Sequence, residues 1–250
     1  GEWLAWAAME RPGYEADRLV VKLRKQGSNE EEAIALTKDW DRSVGSIVWT
    51  PDNKHLIVTA QEVLDHPAFA VEVETGKVTR LTPGGNVGST IPLQDGSLIY
   101  TMNSLQAPTD LYRRSADGTI TQLTNINGPE LAEIDKVDIQ RFDFAGADGE
   151  QVWGQIIKPQ GATGKLPMAF LVHGGPQGSF GNSWSTRWNP KVMAAQGYAA
   201  VAIDFHGSVG YGQDFTDSIN QDWGGKPLED LKLGYAAALE IDPQIDGERS

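Results

Sequence analysis

Chemistry in this 250-residue chain concentrates in Leu171-Val172-His173-Gly174-Gly175-Pro176, which follows the apolar run Pro167-Met168-Ala169-Phe170. Two glycines at the end of a short buried strand let the backbone turn sharply and leave N–H groups exposed. Adjacent N–H groups of this kind bind an oxyanion during acyl transfer. The nucleophile for such a site stands in a Gly-x-Ser-x-Gly turn on a neighbouring strand. No such turn occurs in the chain. Gln177-Gly178-Ser179-Phe180-Gly181 and His206-Gly207-Ser208-Val209-Gly210 come near it. Each lacks the first glycine that the crowded elbow requires. The second follows a strand but runs into a Tyr-Gly loop, not a helix, so Ser208 is rejected as nucleophile.

The elements that must position this turn lie on both sides of it. Val137–Phe144 and Gln151–Lys158 read as strands joined by Ala147-Asp148-Gly149-Glu150. Residues 167–173 read as an apolar strand. Asn189 reads as a helix N-cap, Pro190 as the first helical residue and Gly197 as the stop. Tyr198–Asp204 is apolar almost throughout, as a strand covered on both faces should be. A last helix starts near Pro227, with Leu228, Leu231, Tyr235, Ala238 and Leu239 on one face. Glu229 and Asp230 fall in its first turn, where the helix dipole favours negative charge. Alternating strands and helices predict a mostly parallel α/β sheet with helices on both faces.

The first half is built differently. Leu36-Thr37, Leu81-Thr82 and Leu123-Thr124 recur at spacings of 45 and 42 residues. Asp52-Asn53-Lys54-His55-Leu56-Ile57-Val58-Thr59 is echoed by Asp95-Gly96-Ser97-Leu98-Ile99-Tyr100-Thr101. Asp-Asn, Asp-Gly and Thr-Gly mark turns between short β-rich runs. A repeat of this length holding about four strands points to β-propeller blades. An irregular β-sandwich with coincidental Leu-Thr pairs is the alternative. The texture changes at Asn125-Ile126-Asn127-Gly128-Pro129, and Glu130 to Lys136 reads as a polar link. The expected domains are therefore 1–129, partial propeller, and 130–250, partial α/β domain.

Composition narrows the classes. Hydrophobic residues make up 40% of the chain, which supports a packed core. The net charge of −13 argues against phosphate-backbone binding, so no nucleic-acid partner is expected. The absence of cysteine excludes disulfides and thiolate metal sites. His, Asp and Glu spacings give no metal site, and no glycine-rich phosphate loop is present, so no cofactor is expected. No apolar run approaches the ~18 residues of a membrane helix, and no membrane partner is expected. Gly1-Glu2-Trp3-Leu4-Ala5-Trp6 has neither an initiator Met nor a basic segment. Both ends read as truncation points, which leaves compartment and oligomeric state open.

Five stretches in order resemble the prolyl oligopeptidase family of serine peptidases, in its acylaminoacyl-peptidase and dipeptidyl-peptidase V branch. They are Leu4 to Glu15, His173-Gly174-Gly175-Pro176-Gln177-Gly178, Trp184-Ser185-Thr186-Arg187-Trp188-Asn189-Pro190, Asp204 to Gly212, and Trp223 to Asp230. The resemblance implies a β-propeller joined to an α/β-hydrolase domain. It also implies release of dipeptides or acyl-amino acids from the N-terminus of short peptides. It implies that the backbone N–H of Gly175 helps hold the oxyanion, a tight turn being the competing reading. His173, where some relatives carry a Tyr, would donate similarly or order the loop. Tyr211 would lie near substrate. Glu10 and Glu15 could pair with a substrate amine, against the plainer reading of solvated charge. His206 stands where relatives carry Arg, and His55 and His66 read as surface residues. The Ser, Asp and His of the family's triad would come after Ser250, so this chain alone is expected to be inactive. A non-catalytic propeller binding protein and a small-molecule esterase or amidase remain the alternatives.

Overall fold

The computed structural model describes residues 1–134 and 136–250; Asp135, inside the expected polar link, lies outside the described residues. Its repeated Leu-Thr pairs share one hydrogen-bonding role. Leu36 N donates to Val21 O (2.8 Å), and Thr37 Oγ1 accepts from Val21 N (2.9 Å). Leu81 and Thr82 close the same pair on Ala68 at 2.8 and 2.9 Å. Leu123 and Thr124 close it on Leu111 at 2.7 and 2.9 Å. Each threonine hydroxyl stands in for a strand carbonyl, so the neighbouring N–H stays satisfied where the outer strand ends.

These pairs mark the margins of three antiparallel meanders. The first runs β1 (Trp3–Ala8), β2 (Val20–Lys25) and β3 (Ile34–Ala35). The second runs β4 (Val44–Trp49), β5 (His55–Ala60), β6 (Ala68–Glu72) and β7 (Val78–Arg80). The third runs β8 (Asn86–Pro92), β9 (Leu98–Asn103), β10 (Asp110–Arg114) and β11 (Ile120–Gln122). A second repeated device escaped the sequence reading. Bulges interrupt β4 between Val44 and Ile47 and β8 between Val87 and Thr90. At each, a Gly-Ser pair faces a threonine of the next strand: Ser46 N donates to Thr59 Oγ1 (3.2 Å), and Ser89 N to Thr101 Oγ1 (2.9 Å). Val21, Val44, Leu56, Val58, Phe69 and Val71 pack the first two sheets together. Ile57, Ala68, Val87, Leu98 and Tyr100 pack the second against the third.

The chain divides into two compact units. The first holds Gly1–Ser104, Thr109–Asn125 and Gly210–Gln213; the second holds Leu105–Pro108, Ile126–Val209 and Asp214–Ser250. The boundary expected at 129/130 does not anticipate the two four-residue segments that sit with the other unit.

The second unit contains α1 (Gly128–Glu133), β12 (Val137–Ala145), β13 (Gln151–Pro159), β14 (Leu166–Leu171), α2 (Pro190–Ala195) and β15 (Ala199–Asp204). It continues through α3 (Gln213–Asp217), whose first residue counts with the first unit, α4 (Lys226–Ile241) and β16 (Ile245–Asp246). Helix α1 occupies part of what reads as a polar link. The sheet order is β12-β13-β15-β14-β16. Its pairings correct the expected mostly parallel sheet to a mixed one. β12–β13 and β13–β15 are antiparallel, and only β14–β15 and β14–β16 are parallel. The connection from Ala145 to Gln151 is too short for a crossover and forces a hairpin, whereas α2 supplies the crossover between β14 and β15.

Side chains alternate along β15, which places the helices. Ala200 packs with Ala194 of α2, while Ile203 meets Gly234 of α4. The two helices therefore cover opposite faces. Asn189 caps α2 as expected, accepting from Lys191 N at 3.0 Å. The buried face of α4 runs through Pro227, Asp230, Gly234 and Ala238, so Leu228 is exposed and Asp230 is not a surface dipole charge.

Candidate active-site turn

β14 ends at Leu171, and the chain emerges at the carboxyl rim of the parallel β14–β15 pair. In open α/β sheets ligands bind outside this rim. Gly174 and Gly175 are exposed there. Gly175 has φ 132°, and a Cβ at this position would stand 2.8 Å from Gln177 N. No other residue fits without a backbone shift. Among the described residues neither amide has a protein acceptor. Two neighbouring exposed N–H groups thus stand open at this rim. Val172 is 56% exposed, while Phe170 and Leu171 are half-buried. Strand side chains point to the sheet faces, not along its edge. Phe170 accordingly packs against Tyr235 at 5.6 Å.

His173 sits beneath the turn. Its Nδ1 lies 3.0 Å from Gly174 O, and its Nε2 lies 3.0 Å from Ser208 Oγ. The ring stacks on Phe205 at 4.3 Å and 11°, and meets Phe180 edge-on at 5.3 Å. A carbonyl only accepts, so Nδ1 carries the proton toward Gly174. In the neutral ring Nε2 then accepts from the Ser208 hydroxyl. Asp204 Oδ1 lies 3.8 Å from the same Nε2. Its carboxylate is engaged by Ser179 Oγ (2.5 Å) and Phe180 N (2.9 Å). A Ser, a His and an Asp therefore meet here without the geometry of a catalytic triad, in which the Asp orients the opposite ring nitrogen. Ser208 is fully buried, which also closes it to substrate.

His206 is a separate, structural centre. Its backbone N and its Nδ1 both reach Asp230 Oδ2 at 2.6 Å, and Asp230 Oδ1 accepts from Ala147 N at 2.8 Å. Asp230 and His206 are both 0% exposed. The His206 ring stacks on Phe215 at 4.3 Å. One buried carboxylate thus ties α4 to the end of β15 and to the hairpin before β13. At the rim of this cluster Asp148 bonds Lys226 at 2.8 Å, which raises the lysine above its ordinary range and lowers the aspartate. The sequence offered no signal that Asp230 points inward.

The structure puts His173 and Gly175 together in the second unit. Tyr211, Glu10 and Glu15 belong to the first. Glu10 and Glu15 are exposed. The residue that organises their loop is Asp17, which the sequence reading missed. Its carboxylate accepts from Glu10 N (2.7 Å), Arg11 N (2.7 Å) and Arg11 Nε (2.8 Å). His55 and His66 are half-buried, not surface residues. Burial pulls His66 below the ordinary histidine range, only partly offset by its bond to Val87 O. Among the described residues no group of three His, Asp or Glu could hold a metal ion. Among the described residues no helix is long and apolar enough to cross a membrane.

Residues 184–250 match the prolyl oligopeptidase family. The chain is 39% identical over 255 residues to the probable dipeptidyl-peptidase 5 of Aspergillus clavatus, covering 99% of this chain and 35% of that protein. It is 37% identical to dipeptidyl-peptidase 5 of Aspergillus fumigatus, covering 92% and 33%. It superposes on the acylaminoacyl peptidase of Pyrococcus horikoshii with a TM-score of 0.83 at 25% identity, over 98% of this chain and 38% of that one. The chain therefore spans about a third of the length of the curated relatives it matches.

Proposed function

From the premise that the chain belongs to the prolyl oligopeptidase family, we propose that it carries the oxyanion-binding part of a serine exopeptidase. The substrates would be short peptides, cleaved to release N-terminal dipeptides or acyl-amino acids. The three meanders would be successive propeller blades, and the mixed sheet the first part of an α/β-hydrolase domain. Tyr211 would contact substrate. The nucleophile, the general base and its orienting Asp would lie outside these 250 residues. The observation that carries this reading is the exposed pair of unpartnered amides at Gly174 and Gly175. As a nucleophile adds to a peptide carbonyl, its oxygen becomes anionic, and donors fixed in advance lower that barrier.

The test uses these 250 residues and the full-length protein side by side. Both are treated with a fluorophosphonate and with chromogenic dipeptide substrates. The expected result is turnover and labelling by the full-length protein, at a serine outside residues 1–250, and neither by the shorter chain. Labelling at Ser208 would contradict the assignment. Turnover of small esters without turnover of peptides would favour an esterase instead. Absence of both would leave a binding protein.

A further inference from the structure

Resting on that reading, we propose that Ser208 is a positioning residue for the oxyanion donor, acting through His173 on the Gly174–Gly175 peptide. The chain of contacts is short and lies inside one compact unit. Ser208 Oγ donates to His173 Nε2 at 3.0 Å, and His173 Nδ1 donates to Gly174 O at 3.0 Å. The Gly174–Gly175 peptide is trans; the cis bond is the next one, Gly175–Pro176. In a trans peptide the C=O and the following N–H lie in one rigid plane and point in opposite directions. Holding the Gly174 carbonyl down on the imidazole therefore aims the Gly175 N–H away from it, toward the open rim. The donor direction is set by a side chain that never touches the oxyanion.

Each link is fixed by its surroundings. The ring cannot tilt freely, because Phe205 stacks on it and Phe180 abuts its edge. Ser208 is held by its own N–H to Phe205 O (2.9 Å), and its carbonyl accepts from Thr216 Oγ1 (3.2 Å). Gly178 leaves the space the clamp needs. A Cβ there would stand 3.0 Å from Gly174 O and 3.4 Å from His173 Nδ1. Ser208 is fully buried, so its hydroxyl can influence a substrate only through the ring. Asp204, with its oxygens committed to Ser179 and Phe180, holds the adjoining loop instead.

The experiment measures steady-state kinetics of the full-length protein, with a melting curve for every variant. Ser208→Ala is expected to lower kcat about 10- to 100-fold, as for a modestly misaimed donor, with KM within about twofold. His173→Asn places an amide N–H where Nδ1 stands but cannot reach Ser208. His173→Gln reaches Ser208 but leaves the Gly174 carbonyl free. The Asn variant is expected to keep more kcat than the Gln variant. In a His173→Ala background, Ser208→Ala is expected to add no further loss. An unchanged kcat in Ser208→Ala, or a Gln variant faster than the Asn variant, would overturn the positioning role while leaving the peptidase reading intact. Failure of the parent protein to label with a fluorophosphonate would overturn both. If Ser208→Ala does not fold, the tautomer of the His173 ring in the parent protein still decides. Nitrogen-15 shifts of the His173 ring give a further readout: an Nδ1–H tautomer is expected, and an Nε2–H tautomer contradicts the chain of contacts.

Discussion

Thr37, Thr82 and Thr124 do in the first unit the opposite of what Gly174 and Gly175 do in the second. Each threonine hydroxyl accepts from a strand N–H that the outer strand leaves over. The glycines expose N–H groups that no group among the described residues accepts. The three sheets use a repeated device to leave the backbone satisfied, which suits a scaffold. The rim of β14 and β15 places its buried polar contacts behind two open donors, which suits a site. An unsatisfied backbone N–H is tolerable only where water or a ligand can reach it. The exposure of Gly174 and Gly175 meets that condition, while Thr37 and Thr82 are buried.

Breaking the support behind the rim should cost most. Asp230→Ala removes one carboxylate from three N–H donors, all at a fully buried position. A loss of about 3–5 kcal/mol in denaturant unfolding is expected, because His206 and two backbone amides are left without acceptors. A loss below about 1 kcal/mol would mean that water reaches this centre. In the first unit, Thr37→Val and Thr82→Val are expected to cost about 1–3 kcal/mol each, since each orphans a buried N–H. Thr124 is only half-buried, so Thr124→Val should cost less. Equal losses at all three would show that burial does not set the cost.

Smaller effects sharpen the contrast. Val63 holds φ 53° while its N–H donates to Gly210 O at 2.9 Å, both within the first unit. A β-branched residue is strained there and Asn is not. Val63→Asn should therefore stabilise by about 0.5–1 kcal/mol in thermal or denaturant unfolding. A loss would show that the Val63 side chain contributes more than its strain costs. Asp17 gives the pH dependence. Burial alone would push its carboxyl up, but hydrogen bonds from the backbone and side chain of Arg11 and the backbone of Glu10 hold it below the ordinary 3.8. Its stabilisation is complete above that ordinary value and disappears as the pH falls through the lower folded value. The stability gap between the parent and Asp17→Asn should be constant near neutrality and close in acid. A gap that persists unchanged in acid would remove Asp17 as its source.

What the sequence disclosed follows the range of the interaction. The Leu-Thr repeat was legible because each pair does its work locally, one strand away. The Gly45-Ser46 and Gly88-Ser89 bulges stand 43 residues apart and could have been found the same way. The Asn189 cap and the apolar 199–204 strand were legible from neighbouring residues alone. Sheet direction was misjudged because alternating strands and helices outweighed the short Ala145–Gln151 connection. Asp230 and Asp17 were missed because an acidic residue near a helix start or in a loop ordinarily faces water. Only the fold brings His206, or the Arg11 amide, against them. The Ser208–His173 contact joins residues 35 apart in sequence, and nothing in either neighbourhood announces it.

The most direct measurement is a structure of the full-length protein after reaction with a fluorophosphonate. The phosphonyl oxygen is predicted to lie about 2.7–3.1 Å from the Gly175 nitrogen, the range of an oxyanion donor, with Gly174 O still on His173. An adduct whose oxygen points elsewhere, with the Gly175 amide turned onto a protein carbonyl, would contradict the account.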